Sequence, residues 1–124
     1  MEKLSEAEEI VMRCIWDSEE PIGLSDIIEF CDSRYERQWK PQTVSTFLKR
    51  LIQKAYLESR RQGRTWLYIP QISQEDYLDR KMSGFLNFWG RKSIGALFCA
   101  FGKSQELTPE DIRELRELID ELDD

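Results

Sequence analysis

The feature that most constrains the fold lies between residues 34 and 69, where a polar helix pattern is followed by two strand patterns. Pro41 fits the first position of a helix, because the backbone N–H that proline lacks would have no partner there. The two strand patterns, residues 56–60 and 65–69, flank a turn that contains Gly63 and predict a hairpin. Apolar residues at helical spacing predict one buried face on the helix: Val44, Phe47, Leu48, Leu51 and Ile52.

Positive charge is concentrated in the same segment. Residues 34–64 contain nine Lys or Arg side chains and two acidic ones, which is a net charge of +7. Because the whole chain carries −6, the remainder sums to −13. One basic face on an otherwise acidic protein is typical of nucleic-acid binding, since the rest of the surface repels phosphates.

Two helix patterns precede this segment. Ser5 and Glu8 form a capping-box pattern that predicts a helix over about residues 5–17. Ser25 predicts the cap of a second helix, which should end by about Tyr35. Three helices followed by a hairpin is the order of a winged helix-turn-helix domain, in which the third helix enters the major groove of DNA.

Three more helix patterns follow the hairpin. Ser73 opens the first, residues 91–101 form the second, and Thr108 with Pro109 begins the third. These helices carry more apolar surface than about 50 residues can bury alone, which predicts pairing with a second copy of the chain. The other possibility is a monomer in which they fold back on the winged helix. The residues predicted to form the dimer interface are Phe85, Leu86, Trp89, Leu97, Phe98, Phe101, Ile112, Leu115 and Ile119.

We therefore predict a mostly α-helical protein with a small β-hairpin wing. Residues 1–71 should form a winged helix-turn-helix domain that binds DNA, and residues 72–124 a helical dimerisation domain. The predicted function is a sequence-specific, DNA-binding transcriptional repressor that acts as a homodimer on a two-fold operator. The alternative is a winged helix that serves only protein–protein contacts, with the basic face docked on an acidic partner.

Composition argues against catalysis and against a bound cofactor. The chain has no histidine, no cysteine pair at metal-binding spacing and no glycine-rich phosphate loop. We therefore expect no enzyme activity, no metal and no cofactor. Cys14, Cys31 and Cys99 lie among apolar helical positions, which predicts buried free thiols in a reducing compartment. The sequence shows neither a membrane-spanning apolar run nor a signal-peptide core, so we expect a cytoplasmic protein without membrane insertion.

Polar side chains near the start of the third helix are the candidates for reading DNA. Recognition helices present their first turns to the groove, so four residues are expected to contact base edges: Gln42, Thr43, Ser45 and Thr46. Five cations are expected to contact phosphates: Lys40, Lys49, Arg50, Arg61 and Arg64. These polar side chains favour DNA over a protein partner, since they add little to the core of a protein interface. Trp66 is expected in the core, whereas Trp39 could cover the core or pack on the DNA backbone.

Three motifs carry a resemblance to a known family. They are Leu4-Ser5-x-Ala7-Glu8 with Val11-Met12-x-x-Ile15-Trp16, Trp39-x-Pro41-x-Thr43-Val44-x-Thr46-x-Leu48-x-Arg50-Leu51-x-x-Lys54, and Gly63-Arg64-x-x-x-Tyr68-x-Pro70. On these residues the chain resembles the penicillinase-repressor family, the winged-helix repressors of β-lactam resistance and their copper-responsive relatives. The resemblance implies a homodimer that binds a two-fold operator and blocks transcription until it is released.

The chain departs from that family's pattern at three places. Ala55 stands where the family usually has glycine, which is expected to be a mild change. Copper-responsive relatives carry a C-terminal cysteine cluster, whereas this chain ends in Glu121-Leu122-Asp123-Asp124, so copper sensing is not expected. Repressors of the resistance branch are inactivated by cleavage at an Asn-Phe bond, where this chain has Ala100-Phe101. The inducing protease or ligand is left open by the sequence.

Overall fold

The structure is a computed structural model that describes residues 2–90, 92–104 and 107–123, without the side chains of 92, 93, 101, 102 and 104. Within these ranges the chain forms six α-helices and one two-stranded antiparallel sheet. No helix in the described ranges is both long and apolar enough to span a bilayer. The elements are α1 (Glu6–Trp16), α2 (Leu24–Tyr35), α3 (Pro41–Gln53), β1 (Leu57–Gln62), β2 (Thr65–Pro70), α4 (Gln74–Trp89), α5 (Lys92–Ser104) and α6 (Pro109–Asp123).

The first helix begins as its capping pattern predicts. The Ser5 side chain accepts a hydrogen bond from the Glu8 N–H at 3.2 Å, and the Ser5 N–H donates to Glu8 Oε1 at 2.8 Å. Both bonds satisfy N–H groups that a helix start leaves without partners. The capping box is therefore confirmed, and α1 is one residue shorter at each end than predicted.

Helix α2 begins before the residue predicted to cap it. Gly23 is the N-cap and Ser25 lies inside the first turn, so the prediction of a Ser25 cap is wrong. A tertiary contact decides this start, because the Tyr68 N–H donates to the Ile22 carbonyl at 3.0 Å. A Cβ atom on Gly23 would lie 3.1 Å from the carbonyl oxygen of Trp66, so only glycine fits this approach without a shift.

Helix α3 starts at Pro41, as predicted, and packs one face into the core. Val44, Leu48 and Leu51 are buried on that face. Ile52 is 37% exposed, so the prediction that it belongs to the buried face is wrong. The buried face contains fewer residues than the apolar pattern predicts, because α3 ends at Gln53, directly after Ile52, and the chain then turns into β1.

The end of α3 places a non-glycine residue in a left-handed conformation. The Tyr56 N–H donates to the Leu51 carbonyl at 2.9 Å, and the Ala55 N–H donates to the Ile52 carbonyl at 3.0 Å. These two bonds form a Schellman motif, in which the residue after the cap takes a positive φ and is usually glycine. Ala55 has φ +67°. The change from glycine is therefore strained, not mild as expected, because the alanine Cβ crowds the backbone at this φ.

The hairpin is longer than the two strand patterns indicate. Its pairing register runs from Leu57 opposite Pro70 to Gln62 opposite Thr65, which leaves a two-residue turn of Gly63 and Arg64. Gly63 has φ +64°, and no positive φ occurs at Arg64, as in a type II′ turn. The predicted hairpin and its glycine turn are confirmed, and Pro70 ends β2 as expected.

The buried residues between Ile10 and Ile72 form one apolar core, and two cysteines meet inside it. Cys14 Sγ and Cys31 Sγ lie 3.8 Å apart, both buried and both free. Cys99 is exposed in α5, so the prediction that it is buried is wrong. Helical spacing indicates which residues share a face but not whether that face is covered. The buried apolar residues are Ile10, Val11, Met12, Cys14, Ile15, Ile27, Cys31, Val44, Leu48, Leu51, Tyr56, Leu57 and Ile72.

The chain divides into two compact units, residues 1–79 and 80–124, and the division lies inside α4. The start of α4 belongs to the first unit because Trp16 Nε1 donates to the Ile72 carbonyl at 2.9 Å and the Tyr77 and Trp16 rings lie 5.3 Å apart. The domain boundary predicted after residue 71 precedes this helix and stays a prediction.

The helix starts of the second half follow their capping patterns. Ser73 Oγ accepts from the Asp76 N–H at 3.1 Å, as expected for the cap of α4. Thr108 and Asp111 exchange two side-chain bonds to backbone N–H groups, at 3.0 and 3.1 Å, which confirms the predicted start of α6. The middle helix pattern is confirmed as α5, but its predicted first residue, Arg91, lies outside the described residues.

Candidate nucleic-acid interface

Helix α3 carries a polar face opposite its buried stripe. Gln42 and Thr46 are exposed, and Thr43 and Ser45 are partly exposed. The Thr46 hydroxyl donates to the Gln42 carbonyl at 3.0 Å, which leaves its oxygen lone pairs to accept a hydrogen bond. All four residues predicted to read bases can therefore reach a partner outside the protein.

The structure separates the nine cations of residues 34–64 into two groups. Arg34, Arg37 and Lys54 form ion pairs with acidic residues of α1 or of the turn after it. The other six are exposed and form no ion pair with any residue that the structure describes. They comprise the five predicted phosphate contacts and one more arginine: Lys40, Lys49, Arg50, Arg60, Arg61 and Arg64. These six cations remain available to an external anion.

Helix α3 and the hairpin turn border one cleft of about 470 Å³. Ser45 lines it from α3, Arg64 and Trp66 from the hairpin, and Ser25 and Asp26 from the first turn of α2. The third helix and the wing therefore share one open side of the first unit. Because the N-cap of α2 is Gly23, which has no side chain, the first turn of that helix receives no side-chain capping bond.

Comparison with known proteins places this arrangement in a family. The profile of the family described as "Penicillinase repressor" matches residues 4–121, nearly the whole chain. The chain belongs to the penicillinase-repressor family. This membership confirms the resemblance found in the sequence motifs, and with it the predictions of a winged helix and of a DNA-binding transcriptional repressor. The family is one of repressors and not of enzymes.

Individual relatives of the family resemble the chain in sequence and in fold. The penicillinase repressor of Bacillus licheniformis is 31% identical over 119 residues, which cover 96% of this chain and 91% of the relative. The solution structure of the DNA-binding domain of the repressor BlaI has a TM-score of 0.52 and 35% identity, over 62% of this chain and 94% of that one. The Bacillus licheniformis BlaI monomer, solved in complex with the blaP half-operator, has a TM-score of 0.51 and 34% identity. The match covers 61% of this chain and 89% of that one.

Two tryptophans near the interface have different surroundings. Trp39 is partly buried, and its ring packs edge-on against Phe47 at 5.1 Å, so it covers the core next to α3. Trp66 is 49% exposed, so the prediction that it lies in the core is wrong. An aromatic residue at a strand position usually packs on the buried face of a sheet, whereas this hairpin leaves the Trp66 side chain exposed. A two-residue turn at Gly63 and Arg64 places Trp66 opposite Arg61 in the hairpin. This pairing with a charged residue is the feature of the sequence that could have indicated an exposed Trp66.

The second unit of this repressor exposes large apolar side chains. Among the predicted dimerisation residues, Leu86, Leu97 and Leu115 are partly buried within the chain. The side chain of Phe101 lies outside the described residues, whereas Ala100 before it is exposed in α5. The remaining predicted residues are exposed in the single chain: Phe85, Trp89, Phe98, Ile112 and Ile119.

Proposed function

We propose that this protein is a sequence-specific transcriptional repressor that binds a two-fold operator in double-stranded DNA as a homodimer. One observation carries the proposal: Ser45 of α3 and Arg64 of the wing line the same open cleft, and Arg64 forms no ion pair with any residue that the structure describes. A helix that reads the major groove and a wing that follows the backbone need this common side. The half-operator complex of the similar Bacillus licheniformis BlaI supports it.

Within the proposed complex, the first turns of α3 enter the major groove. Gln42, Thr43, Ser45 and Thr46 contact base edges there, since amide and hydroxyl groups match the donor and acceptor pattern of the bases. Their exposure at the start of the helix supports this role.

Around the groove, the unpaired cations contact phosphates. Lys40, Lys49 and Arg50 do so from α3 and its start, and Arg61 and Arg64 from the hairpin. Phosphate contacts position the protein on DNA and make its affinity fall with salt, but they do not read sequence.

The homodimer forms through apolar residues of α4, α5 and α6, five of which are exposed in the single chain. The interface is built from Phe85, Leu86, Trp89, Leu97, Phe98, Phe101, Ile112, Leu115 and Ile119. A second copy covers the same patch on both chains and places two winged helices on a symmetric site. As a DNA-binding repressor, the protein acts in the cytoplasm, and we assign it no catalytic activity.

Fluorescence anisotropy tests the proposal. The purified protein is titrated onto its own upstream intergenic DNA and onto a scrambled duplex, each across a salt series. We expect tighter binding to the upstream DNA and a steep salt slope on both duplexes. Equal binding to the two would contradict sequence-specific repression at this site, and absence of binding to either would favour the protein–protein alternative, to be followed by a pull-down.

A further inference from the structure

Trp66 sits on the wing in contact with a cation. The pairing register places it opposite Arg61, on the same side of the hairpin. The guanidinium carbon of Arg61 lies 5.8 Å from the centroid of the Trp66 ring. This distance is within the roughly 6 Å over which an aromatic ring attracts a cation through its π face.

A second contact holds the same arginine. Arg61 Nε donates to the Gly63 carbonyl at 3.0 Å. The two terminal nitrogens of the guanidinium form no hydrogen bond or ion pair with any residue that the structure describes. The inner end of the guanidinium is therefore fixed, and its outer end is open to an anion.

The strand that carries Trp66 is itself anchored to the domain. The Tyr68 N–H donates to the Ile22 carbonyl at 3.0 Å, two residues beyond Trp66. The carbonyl oxygen of Trp66 approaches Gly23 so closely that a Cβ there would lie 3.1 Å away. One hydrogen bond and one close backbone approach thus hold β2 against the start of α2 next to the indole.

We propose that Trp66 is a positioning residue for DNA binding, which holds the Arg61 guanidinium ready to contact a backbone phosphate. The inference rests on the proposed DNA-binding function and deepens it by giving the exposed indole a role. A planar guanidinium that is already held by a ring and a carbonyl loses less side-chain freedom when it binds phosphate through two N–H groups. The indole acts through Arg61 and reads no base.

A double-mutant cycle on DNA affinity tests the proposal. The wild type, Arg61→Gln, Trp66→Ala and the double variant are titrated by anisotropy onto a labelled scrambled duplex across a salt series. A scrambled duplex suffices because phosphate contacts do not depend on sequence. Thermal unfolding of each variant checks that the fold is retained, and Trp66→Phe keeps a ring with a weaker attraction for cations.

Arg60 supplies the matched control. It precedes Arg61 on β1, pairs with Leu67 and therefore lies on the opposite side of the hairpin from Trp66. Arg60→Gln removes the same charge from the same strand without touching the indole. A second cycle combines Arg60→Gln with Trp66→Ala.

We expect Trp66→Ala to weaken binding about two- to fivefold and to lower the salt slope, with a smaller loss for Trp66→Phe. In the Arg61→Gln background Trp66→Ala should cause no further loss, whereas in the Arg60→Gln background its full effect should persist. An equal loss in all backgrounds, or no loss, overturns the positioning role while wild-type binding still supports the proposed function. If the wild type binds neither this duplex nor its upstream DNA, both proposals fall together.

Discussion

Lys54 Nζ lies 2.9 Å from Glu8 Oε1 and joins the end of α3 to the first turn of α1. Glu8 is only 2% exposed, and its Oε1 also accepts from the Ser5 N–H, while Lys54 donates to the Lys3 carbonyl at 3.0 Å. Glu8 Oε2 is buried and accepts no hydrogen bond from any residue that the structure describes. The pair fixes one end of the proposed recognition helix, so Lys54 belongs to the scaffold and not to the DNA-facing charge.

We expect Lys54→Met to destabilise the first unit by about 3 kcal/mol, because it leaves the buried Glu8 carboxylate without its cation. The double variant with Glu8→Gln should lose less, since no buried charge is then unpaired. Urea unfolding followed by circular dichroism gives the free energies of unfolding. A Lys54→Met protein as stable as the wild type would show that the pair is not needed for stability.

Stability should depend on the ionisation of Glu8. Burial raises the pKa of Glu8, but the hydrogen bonds from the Ser5 backbone and from Lys54 outweigh it and hold this pKa below its usual value. In the unfolded chain the carboxyl titrates near its usual value, about 4.3. The stabilisation is therefore complete above that pH and is lost as pH falls through the lower pKa of the folded state.

The comparison of wild type with Glu8→Gln between pH 7 and pH 3 measures this effect. The difference in free energy of unfolding should shrink on the acid side, below about pH 4.3. Glu29→Gln, which removes an exposed carboxylate from α2, is the control. A difference that stays constant across the range would rule out a contribution from Glu8 ionisation.

Ala55→Gly should stabilise the protein by about 0.5 to 1 kcal/mol. Relief of the left-handed strain at φ +67° outweighs the greater chain entropy of glycine in the unfolded state. Thermal and urea unfolding measure the change. Ala96→Gly, inside α5, provides the opposite case and should destabilise, because glycine costs free energy within a helix. A loss of stability on Ala55→Gly would contradict the strain.

Thr46→Val tests the role assigned to a single hydroxyl. Because the hydroxyl proton is already donated to the Gln42 carbonyl, Thr46 can only accept from a base, as from the amino group of adenine or cytosine. Valine keeps the methyl group and shape but removes the acceptor. We expect a loss of about 1 to 3 kcal/mol on the operator and little on scrambled DNA, measured by anisotropy. An equal loss of affinity on the operator and on scrambled DNA would show that Thr46 contacts the DNA backbone and not a base.

Phe98→Glu should dissociate the proposed homodimer. Phe98 is 43% exposed in α5, and a buried charge in an apolar interface is strongly unfavourable. Ala96→Glu adds the same charge on the other side of the same helix and should leave the dimer intact. Sedimentation velocity distinguishes the two species. A dimer that survives Phe98→Glu, or that Ala96→Glu also dissociates, would place the interface elsewhere.

Much of the local structure follows from residues close together in the chain. The Ser5–Glu8 box, Pro41, the Gly63 turn and the Thr108 cap each act within four residues, so their patterns predict helix starts and the hairpin directly. The family motifs lie on these same elements. The sequence by itself therefore determined the winged-helix order, the family and the side of α3 that carries its polar residues.

Only the tertiary structure decided which side chains are free to bind a partner. Within the basic segment, Lys54 pairs with Glu8, 46 residues away in sequence, and Arg37 pairs with Glu6, 31 residues away. The positive charge available at the proposed interface is therefore smaller than the net charge of residues 34–64. Gly23 replaces Ser25 as a cap where β2 lies against it, and the hairpin register places the exposed Trp66 opposite Arg61. Burial and ion pairing depend on contacts between distant residues, and periodicity within one element carries no information about them.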